Sequence, residues 1–312
     1  MQHNKWMTCT ITEEWHNQTV EEVLKGPLLL SNRMINRLTR SRGIRLNRQM
    51  PYLKRVVQEG DQLQVAVRPR EQADLEPEPI PLEVPYEDED WMVVDKPAGI
   101  NVHPVHSGEA GTLAHGIIHR WKEQGWEGKV RPVHRLDRHT SGLLVVAKSA
   151  YAHQLMDRQL REKRLKRVYY AFLEGSLTQA PAAEGTIDAA IDRDPDHPLR
   201  RQVSPAGDPA VTHYRVLARN QEATLVQVEL ETGRTHQIRV HFSHLGFPLF
   251  GDGLYGSTSP LIRRQALHAC EVGFHHPLRG EPVTVHSPLP KDLTRLAKEL
   301  ELPLPVEMKN PC

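Results

Sequence analysis

The chain has 312 residues, 40 basic against 39 acidic side chains, and three cysteines (Cys9, Cys270 and Cys312) that lie far apart. That length suits two domains with a sizeable core in at least one, while the near-zero net charge says nothing about partners and the cysteine spacing excludes both a disulfide framework and a thiolate zinc site. No apolar run approaches the length of a membrane span and residues 1–12 carry no signal-peptide pattern, so a soluble, reducing, cytoplasmic setting without a membrane partner is expected.

Residues 12–67 hold the first expected elements. Residues 20–24 read as the start of a short amphipathic helix. Ser31 is a suitable N-cap for a second helix, with Met34, Ile35 and Leu38 at helical apolar spacing and Gly43 closing it. Residues 44–47 read as a short strand, Gly60-Asp61 as a turn and residues 62–67 as an alternating strand. Between Ser31 and Gln58 stand eight Lys or Arg (Arg33, Arg37, Arg40, Arg42, Arg45, Arg48, Lys54, Arg55) and no Asp or Glu. A cationic block without counter-charge is the electrostatic pattern of a phosphate-backbone binder. A merely solvated helix face usually mixes both signs.

Residues 70–85 carry Pro77, Pro79, Pro81 and Pro85, within a stretch from Glu71 to Asp90 that has nine acidic and no basic residues. Proline at this density predicts a linker that joins neither a helix nor a central strand. The alternative is an ordered acidic edge lying on the basic domain. The division expected is a small basic domain over residues 1–75, ending in this linker, and a second domain over residues 76–312.

Beyond the linker, strands and helices mix. Residues 91–94 read as a strand running into Asp95-Lys96-Pro97-Ala98-Gly99. Thr112 caps a helix with Leu113, Ile117 and Trp121 on one face, and Ser149 caps another with Ala152, Leu155, Met156 and Leu160 inward. Residues 142–147 form a buried strand, and residues 168–173, 211–217 and 225–230 read as further strands. Strands come singly and in runs rather than in βαβ alternation, which predicts an α+β domain with a largely antiparallel sheet.

Residues 134–144 read His-Arg-Leu-Asp-Arg-His-Thr-Ser-Gly-Leu-Leu. This puts one carboxylate, Asp137, in a short polar turn ahead of the apolar strand, with Arg135 and Arg138 on either side. Neighbouring cations favour the ionised form of a carboxylate. A held, ionised Asp serves as nucleophile, base or metal ligand. Further on, Lys166-Arg167-Val168-Tyr169-Tyr170-Ala171 opens a strand in which the two tyrosines must face opposite sides. Residues 230–241 read as a strand, a tight turn at Gly233 and a helix capped near Thr235, with Ile238, Phe242 and Leu245 as its buried stripe and Arg239 off that stripe. His236, His241 and His244 do not share a helix face suited to a metal, so no metal site is expected.

The pattern His-Arg-Leu-Asp-x-x-Thr-Ser-Gly-Leu resembles the signature of the RluA family of RNA pseudouridine synthases. The segments at residues 95–99 with His103-Pro104, 166–171, 230–241, 251–256, 267–269 and 274–277 match that family in the same order. The resemblance implies a pseudouridine synthase-like mixed sheet with flanking helices and a central cleft, and an isomerase that converts uridine in RNA to pseudouridine. By resemblance Asp137 is the catalytic carboxylate, Arg239 pairs with it, and Tyr169 rather than Tyr170 stacks on the target base. Arg135 is a candidate to fill the gap left by a flipped base, and Arg234 either contacts RNA or braces its turn. Uridine and pseudouridine are isomers, so no cofactor is required.

The N-terminal region resembles the small α+β RNA-binding domain of the alpha-L type, through Ser-Asn-Arg-Met-Ile-Asn-Arg-Leu, Gly-Ile-Arg-Leu-Asn and the Glu-Gly-Asp turn. Arg33, Arg37 and Arg40 are its candidate RNA contacts. A structured RNA is the implied partner, most often large-subunit ribosomal RNA, with transfer RNA the alternative; DNA is not expected, and the chain is expected to act as a monomer. Two other classes compete. A non-catalytic RNA-binding factor is disfavoured by the joint presence of Asp137, Tyr169 and Arg239. A metal-dependent nucleic-acid hydrolase is disfavoured by the lack of clustered carboxylates at metal-ligand spacing.

Overall fold

The computed structural model describes residues 5–177 and 183–305. The N-terminal part contains strand β1 (Met7–Thr10), helices α1 (Val20–Lys25) and α2 (Asn32–Arg40), and strands β2 (Ile44–Leu46) and β3 (Gln62–Val65), in an antiparallel sheet of order β1-β3-β2. Thr19 and Glu22 form a capping box at the start of α1, and the Ser31 hydroxyl accepts the Met34 N–H at the start of α2. The end of α2 differs from expectation. The left-handed residue is Arg42 (φ 54), not Gly43. Gly43 is needed for a different reason: its N–H reaches the Leu38 carbonyl at 2.7 Å, and a Cβ there would meet Leu38 Cδ2 at 2.8 Å.

The second part begins with β4 (Glu83–Glu87) and β5 (Trp91–Lys96), then α3 (Leu113–Glu123), β6 (Arg131–Pro132), β7 (Ser141–Ala147), α4 (Ala150–Arg161), β8 (Lys166–Glu174) and β9 (Glu184–Asp188). A hairpin of β10 (Ile191–Arg193) and β11 (Arg201–Val203) follows. Next come β12 (Val211–Arg219), β13 (Ala223–Leu230), α5 (Gln237–His244), β14 (Leu267–His275), β15 (Pro282–His286) and α6 (Lys291–Glu299). Among the described residues, ten strands make one sheet of order β4-β5-β7-β14-β8-β13-β12-β9, with β15 beside β14 and β6 beside β7. Every pairing in it is antiparallel except β7 with β14.

The central strands are apolar throughout because both faces of the sheet are covered. Met92, Val94, Leu144 and Val146 face α3 and α5, whereas Trp91, Val93, Leu143 and Val145 face α4 and the N-terminal part. That second core continues without a break into Leu24, Leu28 and Leu30. Tyr151 donates to the Leu28 carbonyl at 2.7 Å, and Arg68 holds Asp90 through two bonds of 2.7 and 2.6 Å.

The proline-rich acidic stretch is not a free spacer, nor does it lie on the basic domain. Glu71 pairs with Arg131 at 2.7 Å, Asp74 with Lys129 at 2.7 Å, and Glu78 accepts the Gly111 N–H. Glu83–Glu87 then joins the sheet as an edge strand, with a break in register across Pro85, where proline costs no essential ladder bond. Prolines preset an extended path; Glu71, Asp74 and Glu87 find cations on the second part of the chain, while Glu89 and Asp90 at its end pair with Arg68.

Candidate active site

The loop between β6 and β7 carries Asp137, and three positive groups pin the carbonyls around it. Lys96, buried at the end of β5, donates to the carbonyls of Pro97, Ile100 and Arg138 at 2.8, 3.1 and 3.1 Å. Arg264 donates to the His139 carbonyl at 3.2 Å, and Arg138 to that of Gly99 at 2.9 Å. Burial pulls the Lys96 ammonium down to about 7, and Asp137 acts in the opposite direction. Three carbonyl acceptors need three N–H donors, which only the charged ammonium supplies.

The loop turns into β7 through Gly142, whose φ is 109°. A Cβ at that point would stand 2.1 Å from the Ala269 carbonyl oxygen on β14. Glycine is thus required where the two parallel strands meet, immediately below the Asp137 turn.

Helix α5 supplies the partner of Asp137. Arg239 Nη1 donates to Asp137 Oδ2 at 3.0 Å, while Nε and Nη2 hold Asp252 at 2.7 and 2.8 Å. Burial works against the Arg239 charge, but the Asp252 and Asp137 carboxylates outweigh it and raise its pKa. The guanidinium also lies 4.9 Å from the Tyr255 ring centroid, a cation–π contact. Asp252 is completely buried, whereas Asp137 keeps 16% of its side chain open to solvent. The arrangement is a chain of charges, Asp252–Arg239–Asp137, whose outer end reaches the surface.

Several sequence expectations need correction here. Arg239 pairs with Asp137 as the resemblance implied, whereas the flanking arginines do not reach it: Arg138 is turned to Gly99, and Arg135 stands exposed. Helix α5 is capped at His236, beside Thr235, and what the sequence did not show is that His236 has a left-handed backbone (φ 60). Leu245 is 40% exposed, not buried, and the helix buries Gln237 to Phe242 on every side because it threads between the sheet and the loops that follow. Its entry turn is fastened by Gln237, whose Oε1 accepts from Thr232 Oγ1 and the Arg234 N–H and whose Nε2 donates to the Val211 carbonyl and Thr212 Oγ1.

Arg234 donates to the Pro209 carbonyl at 3.0 Å and lies 3.5 Å from Asp208, which braces its turn. Tyr169 is 4% exposed in the core that contains Leu136, and its hydroxyl is pushed up to about 12, by burial first and then by the Asp137 charge against an opposing Arg167. Tyr170 faces the opposite side, half-buried at the edge of the cluster under α6. Arg33, Arg37 and Arg40 are all exposed on the outer face of α2, far in sequence from this loop.

Sequence reasoning passed over Asp252, His236 and Lys96. Asp252 carried a signal, an acid between two glycines and three residues before Tyr255, and Lys96 stood out as a cation closing an apolar strand.

Comparison with known proteins places the chain in a family. The RNA pseudouridylate synthase family profile matches residues 90–244, and that of the RluD ribosomal pseudouridine synthase N-terminal domain matches residues 7–63. A Bacillus subtilis protein named as an uncharacterized RNA pseudouridine synthase, YhcT, is 42% identical over 299 residues, 95% of this chain and 98% of its own. The ribosomal large subunit pseudouridine synthase D of Escherichia coli is 38% identical over 251 residues, 76% of each chain. Among solved structures, human RNA pseudouridylate synthase domain containing 1 superimposes with a TM-score of 0.56 at 27% identity, over 73% of this chain and 98% of that one. These matches define an RNA-modifying isomerase. The chain belongs to the RluA family of RNA pseudouridine synthases.

Proposed function

We propose that the protein isomerises specific uridines of large-subunit ribosomal RNA to pseudouridine, with Asp137 as the reacting carboxylate and without a cofactor. The observation that carries this reading is the Asp252–Arg239–Asp137 charge chain, which presents one braced carboxylate at the surface of an otherwise buried site. The RNA class rests on relatives named as large-subunit synthases, such as the Escherichia coli protein.

The reaction breaks the N1–C1′ bond and forms a C5–C1′ bond within one nucleotide. N1 gains a proton and C5 loses one to solvent, so atoms and electrons balance with no oxidant or group donor. The target base must leave its stack, at a cost of a few kcal/mol. Tyr169 lies on the Asp137 side of the sheet and stacks on the extruded uracil, and Arg135 at the rim takes the place the base vacates. Arg239 orients Asp137, and Arg234 braces the loop beside it. Arg33, Arg37 and Arg40 hold backbone phosphates, so residues 1–75 act as an RNA-gripping domain for the catalytic domain over residues 76–312.

Mapping pseudouridines in total RNA from cells with and without the gene tests the reading. The account expects one or a few large-subunit sites to disappear and to return on complementation with wild-type protein but not with Asp137→Asn. Loss confined to transfer RNA would overturn the substrate assignment.

A further inference from the structure

His236 adopts a left-handed backbone at φ 60, a conformation that costs a histidine on the order of 1 kcal/mol and that persists at functional positions. Its surroundings fix which ring nitrogen carries the proton. The Tyr255 hydroxyl accepts the Arg201 N–H at 2.8 Å and lies 2.8 Å from His236 Nδ1. Burial raises the Tyr255 pKa, so this hydroxyl stays protonated and donates its proton to Nδ1. Burial likewise favours the neutral imidazole, despite the nearby Asp137 charge. The single ring proton is then on Nε2, which stands 3.8 Å from Asp137 Oδ2. That separation is too long for a direct hydrogen bond and short enough for one oxygen atom to bridge. His236 and Asp137 are comparably open to solvent, with 17% and 16% of their side chains exposed.

A group placed between an N–H donor and a carboxylate acceptor must accept from one and donate to the other. Uracil carbonyls only accept, uracil N3–H only donates and phosphate oxygens only accept. A hydroxyl does both, and the ribose hydroxyl nearest to C1′ is the 2′-OH. We infer that His236 is a specificity residue that reads the 2′-hydroxyl of the target nucleotide, accepting it between Nε2–H and the Asp137 carboxylate, so that the site distinguishes RNA from DNA at the reacting sugar. This rests on Asp137 being the reacting carboxylate, which the turnover of Asp137→Asn tests separately.

The experiment is competition binding of the full-length protein to two ribosomal RNA fragments identical except for uridine or 2′-deoxyuridine at the modified position. Wild type is expected to prefer the uridine fragment by roughly tenfold, the worth of one good hydrogen bond. His236→Asn keeps a side chain that tolerates the left-handed backbone but is too short to reach the bridge. It is expected to bind the uridine fragment about tenfold more weakly and the deoxyuridine fragment as wild type does, bringing the ratio near one. His236→Gln, whose amide N–H reaches further, is expected to keep part of the preference, and melting temperatures check that each variant folds. Three outcomes would overturn the inference: wild type showing no preference, His236→Asn keeping the full preference, or His236→Asn weakening both fragments equally.

Discussion

Arg239 makes three charge-assisted bonds to two carboxylates that approach it from different loops. A planar guanidinium can do this, whereas a lysine ammonium presents one point charge. Arg239→Lys is therefore expected to lose at least about a hundredfold in single-turnover rate with little change in RNA affinity. Asp252→Asn is expected to act through stability as well, because it leaves a buried guanidinium short of counter-charge, costing about 3 kcal/mol in denaturant unfolding. Equal effects of both substitutions on affinity and rate would mean the charge chain does not position Asp137.

Elements place these side chains, and strained positions show where the chain gave up an easier backbone for a particular residue. Gly142 is the clearest: Gly142→Ala would drive a Cβ into the Ala269 carbonyl and unpair β7 from β14. Loss of several kcal/mol, seen as a collapse of the folded baseline in denaturant titration, is expected. Arg42 presents the opposite case, since its left-handed backbone favours glycine while the residue present is an exposed cation. Arg42→Gly is expected to raise stability by about 1 kcal/mol and to weaken RNA binding with a shallower salt dependence, by about one counterion per lost phosphate contact. Unchanged affinity across a salt series would assign Arg42 to solvated surface. Local signals of this kind were visible in sequence: N-caps Thr112, Ser31 and Ser149, the alternation of Tyr169 and Tyr170, and the unbroken apolar run of β7. The left-handed backbone of Arg42 and of His236 was not, because it depends on tertiary packing that propensity does not encode.

At the scale of the whole molecule, the antiparallel sheet and the pairing of Arg239 with Asp137 were legible, the first from strand order and the second from resemblance. The continuous core joining the two parts of the chain was not, since the contact of Leu28 with Tyr151 links residues 123 apart in sequence. Buried histidines give the assembled protein a pH signature. Burial lowers His268 to about 4 and His134 to about 3, both below the ordinary histidine value of 6.5. The unfolded chain takes up these protons first, so the stability owed to the neutral rings is whole above pH 6.5 and is lost as pH falls toward 4 and 3. The unfolding constant is expected to rise by about tenfold per pH unit for each group in that window. His268 sits between Ser141 and Ser287, and His268→Gln should flatten this acid limb of the stability curve. A wild-type limb that begins only near pH 4, where carboxylates titrate, would contradict the assignment.

The central claim is that Asp137 performs the isomerisation. Its most direct test is tritium release from C5-labelled uridine in a ribosomal RNA fragment, measured under single-turnover conditions for wild type and Asp137→Asn at matched melting temperature and RNA affinity. The account predicts release by wild type and none above background by Asp137→Asn. Release by Asp137→Asn at a rate comparable to wild type would contradict it.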